Sequence, residues 1–328
     1  MSKIIFHKVT LVVILVILSV LSLMIGVANF SFARFFQGDE LLHQIFWQVR
    51  VPRLITLILS AFGMCISGLI MQQLAQNKFA SPSTATTIEG AKLGLLVGML
   101  VFSANFYGQM LSAFIFALIS TTIFMLFIQK IKIKNTIFIP LIGLMVGGIL
   151  DALTTFISYQ TDQIQNINAW MQANLSTIIK GNYEPLYIIV PMVIIAFLYA
   201  NQFTIAGMGE SFTTNLGLNH TKIVNIGLWI VSIITATVVI SVGGIPFLGL
   251  IIPNIISIYR GDNLKNSIIE TALLGAIFLI TCDIFGRLLI FPYEIPLSLT
   301  VGVFGCIIFL YLLFSKENGA AKKSVQKE

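Results

Sequence analysis

Charged residues are scarce in this chain: they occupy 10% of 328 positions, whereas hydrophobic residues occupy 57%. Soluble globular domains carry about 25% charged residues, so the composition excludes an ordinary soluble protein. It indicates instead a membrane protein with many apolar segments. The formal net charge of +6 comes largely from lysines beside those segments, where they set membrane orientation, and we predict no nucleic-acid partner from it.

Cysteine and histidine are also rare, with three residues of each. Cys65, Cys282 and Cys306 lie in apolar stretches without C-x-x-C spacing, which excludes a disulfide framework and a cysteine metal site. The three histidines fall in distant parts of the chain, without the spacing of metal ligands. The sequence has no G-x-x-x-x-G-K-[ST] loop to hold the phosphates of ATP. We predict no enzyme activity, catalytic residue, cofactor or resident metal.

What the chain does have is apolar length. A helix of about 20 residues crosses the hydrocarbon core of a bilayer. The third and eighth of ten candidate segments are shorter, so we expect half-length helices buried among others. The sequence predicts an all-α, polytopic membrane protein of about ten transmembrane helices, with residues 1–315 in one membrane domain and 316–328 in a polar tail. The candidate segments are 9–28, 54–74, 93–106, 109–129, 136–158, 185–200, 223–242, 246–259, 267–290 and 296–314.

Lysine and arginine between the spans predict the orientation in the membrane. With the N-terminus in the cytoplasm, fourteen of these residues, Lys92 among them, fall on the inner side and five on the outer side. Ten spans also return the polar tail to the inner side. We therefore expect both termini to be cytoplasmic. The five outer residues are Arg34, Arg50, Arg53, Lys180 and Arg287.

Three of the outer arginines need a reason, because arginine is costly in lipid. Arg50 and Arg53 stand at the start of one apolar run, and Arg287 lies near the end of another. One interpretation is that they meet acidic groups outside the membrane. The other is that they reach lipid phosphates or pair internally, since Asp283 lies four residues before Arg287 on one helix face. The residues alone leave both interpretations open.

Asp151 is the one acidic residue placed well inside a predicted span. An intramembrane carboxylate is a functional candidate, and this one could line a translocation pathway with Thr154 and Thr155. It could equally form a hydrogen bond between helices. An acid in a span is also typical of proton-coupled secondary transporters, which are the rival functional class, although neither a partnered base nor a second acidic span accompanies it.

The segment 204–222 is the only long polar stretch between spans on the inner side. Gly209 and Gly217 predict helix breaks around a short amphipathic piece within it. The segment is either a linker or a site of interaction with another protein.

Seven sequence blocks follow one another over nearly the whole chain. They are Arg50, Pro52 and Arg53; Gly63, Ser67, Gly68 and Gln72; Asn77, Ala80 and Pro82; and GESFTTNLGL from Gly209, GGIPFLGLIIPNI from Gly243, LLGAIFLITCDIFGR from Leu273 and EIPLSLTVGVFG from Glu294. In this order they resemble the FecCD family, the permease subunits of ATP-binding-cassette (ABC) importers for iron-siderophore complexes, haem and cobalamin. The resemblance implies a multi-pass protein of the bacterial cell membrane that works by alternating access.

The resemblance also implies partners and roles for particular residues. The three outer arginines would pair with acidic residues on the two lobes of a separate substrate-binding protein. Gly209, Glu210, Leu216 and Gly217 would form a coupling helix that lodges in a groove of the ATPase subunit, of which the complex has two. A second permease subunit, identical or similar, would complete the pathway on the dimer axis.

The resemblance implies the substrate less specifically. The segment TIEGAKLG and the changed Asn-Pro-Leu-Ala motif, in which Lys78 replaces proline, are closer to the siderophore branch, so we expect an iron(III)-siderophore. Haem and cobalamin are the alternatives. Further departures from the family pattern are Asn254, where histidine is usual, and Ser257, where arginine is usual.

Overall fold

The computed structural model describes residues 7–26, 39–84, 86–102, 105–130 and 138–325. Arg34, counted above for orientation, and the last three residues of the polar tail lie outside these ranges. Regular structure in the described residues is helical apart from two isolated β-bridges, which confirms the all-α prediction. The helices are α1 Lys8–Met24, α2 Glu40–Leu74, α3 Thr87–Phe102, α4 Phe106–Lys130, α5 Phe138–Gln160, α6 Ile164–Met171, α7 Glu184–Leu198, α8 Ala200–Ala206, α9 Glu210–Asn215, α10 His220–Ser241, α11 Leu248–Arg260, α12 Leu264–Leu288 and α13 Leu297–Val325.

Each of the ten predicted apolar segments contains a helix, but the number of membrane spans is not established. In the described part of the chain, five helices are long and apolar enough to cross a membrane: α2, α4, α5, α10 and α12. The count rises to six if α7 and α8, which meet at 61°, form one bent span. The eighth segment is short as expected, because α11 has only 13 residues. The third begins earlier than expected, since α3 already starts at Thr87.

The core lies around α2, α10 and α12. In their most apolar windows, 72%, 78% and 61% of the residues are buried, respectively. Small residues let these helices approach closely. Gly68 of α2 packs so tightly on α11 that a Cβ atom there would overlap the carbonyl group of Gly249. The matching window of α5 is only 22% buried, so α5 lies at the edge of the chain with one face uncovered.

Helix directions divide the molecule into two ends. Arg287, near the end of α12, bonds Ser22 near the end of α1, so these two helices run the same way. α2 runs the opposite way, because Arg53 in its first half pairs with Asp283 in the last part of α12. We call this the arginine end. At the other end, the lysine end, Gln73 near the end of α2 donates to the carbonyl of Asp262, just before α12 begins. At 1.5 Å per residue, the two ends of α12 lie about 35 Å apart.

Candidate functional site

The three arginines singled out in the sequence meet in one place at the arginine end. Arg50, Arg53 and Arg287 line a cavity of about 200 Å³ together with Ser22 and Glu294. We call this cavity the arginine pocket. The fold brings them together because the first half of α2 packs against the last part of α12, so residues 230 or more positions apart face each other.

Arg53 pairs with two carboxylates. Its Nε and Nη2 atoms donate to Oδ1 of Asp283 at 3.2 and 2.8 Å. Its Nη1 atom donates to both carboxylate oxygens of Glu294, at 3.1 and 2.8 Å. The two acids differ in their surroundings, because the Asp283 side chain is 3% exposed and that of Glu294 is 24% exposed. Glu294 thus forms the outer side of the pair.

Arg287 and Arg50 bind the end of the first helix. Arg287 forms an ion pair with Asp283 at 2.7 Å and donates to the Oγ and carbonyl oxygens of Ser22 and to the carbonyl of Ile25. Arg50 donates to the carbonyls of Leu23 and Met24. The last carbonyls of a helix lack partners in the helix itself and attract cations. These two arginines therefore hold the end of α1 against α2 and α12.

Of the two interpretations left open by the sequence, internal pairing is what the structure contains. Arg50 and Arg287 are 8% and 6% exposed, and Asp283 bridges Arg53 to Arg287. The pocket is nevertheless strongly polar, since the guanidinium groups of Arg50, Arg53 and Arg287 and the carboxylate of Glu294 all line it. Sequence reasoning missed Glu294 and Ser22, because neither has a local pattern that points to an arginine on another helix.

The four residues assigned to ATPase coupling surround α9 at the lysine end. Gly209 and Gly217 flank this six-residue helix with φ angles of +107° and +75°, which lie in the region that favours glycine. The buried Thr213 hydroxyl donates to the carbonyl of Gly209 at 2.7 Å and fixes the inner face of the helix. Glu210 lies exposed on the first turn. The two glycines are thus the breaks that the sequence predicts.

The outer face of α9 carries an apolar stripe. Met208, Phe212 and Leu216 are spaced four residues apart and are all exposed. Phe212 and Leu216 are one helical turn apart and lie on one face, whereas Met208 precedes the break at Gly209 and adds an exposed apolar side chain before the helix. Sequence reasoning found only Leu216 of the three. The spacing of four was the available signal for Met208 and Phe212.

Asp151 lies on α5 and is half exposed, and its Oδ1 atom accepts a hydrogen bond from the Nζ atom of Lys92 at 2.7 Å. Lys92 therefore lies within α3 and pairs across to α5, so its assignment to an inner loop was wrong. The hydroxyl of Thr154 is buried and donates to its own helix at Leu150, whereas Thr155 is partly exposed. Of the three candidate pathway residues, Asp151 and Thr155 are therefore accessible on α5, and Thr154 is not.

Two of the departures from the family pattern meet Lys78 at the lysine end. The Nζ atom of Lys78 donates to the Oγ atom of Ser257 at 3.0 Å and forms an ion pair with Asp262. Asn254 donates to the carbonyl of Lys78 at 2.7 Å. The usual arginine at 257 is absent, and the lysine at 78 supplies a cation beside that position. Lys78, Asn254 and Ser257, which all depart from the family pattern, are therefore joined by hydrogen bonds in one cluster.

Neither a catalytic centre nor a metal site accounts for this architecture. Within the described ranges, the structure contains no group of three or more histidine, cysteine, aspartate or glutamate side chains that could hold a metal ion. The charged and polar residues singled out above instead lie at the two ends and on α5. This arrangement suits contacts with other proteins and passage of a molecule.

Comparison with known proteins identifies the class and the family. Residues 14–315 match the FecCD transport family. The petrobactin import system permease protein YclN of Bacillus subtilis (strain 168) is 51% identical over 308 residues, which cover 94% of this chain and 98% of that protein. The petrobactin import system permease protein FatD of Bacillus anthracis is 37% identical over 306 residues, covering 93% and 90%.

The fold has a solved counterpart. A metal-chelate type ABC transporter in an inward-facing conformation superimposes with a TM-score of 0.81, covering 96% of this chain and 100% of that chain, at 24% sequence identity. The shared fold and the apolar helices indicate a multi-pass membrane protein. The chain belongs to the FecCD transport family, which confirms the resemblance drawn from its sequence blocks. It is a transport subunit of the ABC-importer type and not an enzyme.

Proposed function

We propose that this chain is the permease subunit of a bacterial ABC importer for an iron(III)-siderophore complex, with ferric petrobactin as the first candidate. The observation that carries the substrate is the 51% identity to YclN over 94% of the chain. The second petrobactin relative supports the same class. Haem and cobalamin are the alternatives that the uptake test must separate.

The proposed mechanism is alternating access between an outward-open and an inward-open state. Two ATPase subunits at the lysine end would shift α9 as they bind and hydrolyse ATP. The substrate-binding protein would deliver the iron complex at the arginine end. Each partner must bind the two permease states with different affinity, because a ligand without such a preference shifts nothing.

The arginine pocket is the proposed docking site for the binding protein. Guanidinium groups of three arginines line the pocket, and such groups suit pairing with a carboxylate from a partner. Internal pairing does not oppose this role, since Arg53 bonds the buried Asp283 through Nε and Nη2 and directs Nη1 towards the partly exposed Glu294. Docking would use a surface that the fold has already organised.

The apolar stripe of α9 is the proposed contact with the ATPase subunit. A short exposed helix with apolar side chains on it and beside its two ends suits a helix-in-groove interface. Met208 and Phe212 join Leu216 as its apolar anchors, and Gly209, Glu210 and Gly217 set the ends of the helix. With this end in the cytoplasm, α1 begins and α13 ends on the same side, which supports the predicted orientation of both termini.

The uncovered face of α5 is the proposed side towards the pathway and the second permease subunit. A half-exposed carboxylate at the middle of a span is costly against lipid. Its position therefore favours a face turned to another subunit or to a water-filled path. Asp151 and Thr155 would line that path, whereas the bonding of Thr154 supports a packing role.

Uptake of radioactive iron tests the proposed function. Cells with and without the chain would receive iron on petrobactin, on other siderophores, in haem, and in parallel labelled cobalamin. We expect ferric petrobactin uptake alone to depend on the chain, and to be lost also when the partner ATPase is inactivated. Loss of haem or cobalamin uptake with intact petrobactin uptake would contradict the substrate.

Charge reversal tests the docking site separately. Arg50→Glu with Arg53→Glu should abolish capture of the purified binding protein at low salt. Arg50→Gln is a milder variant for the case that the double change prevents assembly. Unchanged affinity in an assembled variant would contradict docking at the pocket while leaving the substrate proposal intact.

A further inference from the structure

The two acids that hold Arg53 are not equivalent, and the difference suggests which one can leave. Asp283 is buried on α12, accepts from Nε and Nη2 of Arg53, and also pairs with Arg287. Its removal would leave two buried guanidinium groups short of a partner. Asp283 is therefore a fixed part of the fold.

Glu294 is held more weakly. Both of its oxygens contact the Nη1 atom of Arg53, whereas Asp283 accepts from two nitrogen atoms of Arg53 and also pairs with Arg287. The residue is partly exposed and lies between α12 and α13, outside any helix. It also lines the arginine pocket, so a carboxylate that enters the pocket would meet the Nη1 atom that Glu294 occupies.

We propose that Glu294 is an exchangeable internal carboxylate, which pairs with Arg53 in the undocked permease and gives way to an acidic side chain of the binding protein. This inference rests on the proposed docking at the arginine pocket. Exchange keeps Arg53 paired in both states, so no guanidinium group is left without a carboxylate. Exchange also means that the connection between α12 and α13 loses its Glu294–Arg53 contact with α2 only when a partner is present.

The connection has a surface suited to respond. Leu289, Ile290, Phe291 and Tyr293 are exposed beside Glu294. Its two ends are fixed, because Ile295 donates to the carbonyl of Gly286 at 3.0 Å and Leu297 to that of Ala173 at 2.7 Å. Loss of the Arg53 contact would therefore free the middle of the connection and leave its ends in place.

The test is the affinity of the importer's purified binding protein for the full permease with its ATPase subunits in lipid nanodiscs. Glu294→Gln keeps the shape but removes the competing charge, so we expect binding about threefold to tenfold tighter at low salt, with a larger effect of added salt. Glu184→Gln is the matched control. Glu184 lies at the same end of the molecule: it accepts a hydrogen bond from the N–H of Gly181, and the neighbouring Lys180 donates its N–H to the carbonyl of Gln48 on α2. Glu184 does not line the arginine pocket.

Tighter binding for Glu294→Gln alone would support exchange. Equal tightening for Glu184→Gln would overturn it in favour of a general effect of surface charge. Unchanged or weaker binding for Glu294→Gln would also overturn it. If that variant fails to assemble, Glu294→Asp, which keeps the charge and shortens the reach, must bind more tightly than the wild type. Should Arg50→Glu with Arg53→Glu abolish capture while the Glu294 variants change nothing, docking would stand and only exchange would be wrong.

Discussion

At the residue scale, the protein keeps costly charges by giving each a defined partner. Asp283 is the centre of the arginine end, because it contacts both Arg53 and Arg287 while being 3% exposed. Buried ion pairs add little stability compared with apolar packing, but removing one partner is strongly destabilising. The cluster therefore fixes which helices meet more than it raises stability.

Asp283→Asn should lower the stability of the permease by about 3–5 kcal/mol, because two buried guanidinium groups lose their shared carboxylate. The measurement is thermal unfolding of the purified protein in detergent. Glu294→Gln, at the partly exposed side of the same cluster, should cost only about 0–1 kcal/mol. Equal losses for the two variants would contradict the central role of Asp283.

The pair formed by Lys92 and Asp151 predicts non-additive behaviour. Lys92→Met alone removes the cation between α3 and α5. The carboxylate of Asp151 on α5 and that of Glu89 on α3 then remain without it. Combining Lys92→Met with Asp151→Asn removes one of these charges, so the double variant should be more stable than the sum of single effects by about 0.5–1 kcal/mol, given the exposure of Asp151. A double-mutant cycle of melting curves measures this coupling. Strict additivity would show that the pair contributes nothing.

At the element scale, close backbone contact between α2 and α11 sets the position of the half-length helix. Gly68→Ala would force a Cβ atom against the carbonyl group of Gly249. Such overpacking costs about 1–3 kcal/mol. Gly148→Ala on α5 is the matched control, because a Cβ there has no neighbour within 4 Å. Melting curves should show a loss for the first variant only, and a similar loss for both would contradict the packing argument.

The apolar stripe of α9 predicts a loss of assembly without a loss of folding. Phe212→Ala should weaken capture of the ATPase subunit by more than about 1 kcal/mol, as expected for a central aromatic anchor. Thr214→Ala on the same helix is the control, since Thr214 lies off the stripe and bonds only within α9. Co-purification of the ATPase with each variant measures the effect. Intact capture by the Phe212 variant would move the interface away from α9.

The elements could be predicted from the sequence better than their contacts. Apolar runs placed a helix in every expected segment, and two glycines marked the ends of α9. The third helix was misjudged because its first turns carry Glu89 and Lys92, which hide its start from a hydropathy reading. Asp283 was available as a partner of Arg287 from its spacing of four, whereas Ser22 and Glu294 could not be predicted, since they lie more than 240 residues from the arginines they bond. A local pattern carries no information on such contacts.

At the scale of the whole molecule, the two ends have different chemistry. The arginine end holds a cluster of guanidinium groups and carboxylates, and the lysine end presents α9 with its apolar side chains and the linked residues Lys78, Ser257 and Asp262. α12 connects the two ends, because it carries Asp283 near one terminus and begins beside Asp262 at the other. A partner at either end can therefore bias the same helix, which is what alternating access requires.

ATP-driven transport by the purified complex tests the central claim most directly. The permease, its ATPase and its binding protein would be reconstituted in proteoliposomes, and accumulation of radioactive iron from ferric petrobactin would be followed. The account predicts accumulation that requires ATP and the binding protein and that persists when an ionophore removes the proton gradient. Accumulation that proceeds without ATP and stops with the ionophore would contradict it and favour a proton-coupled transporter that uses Asp151.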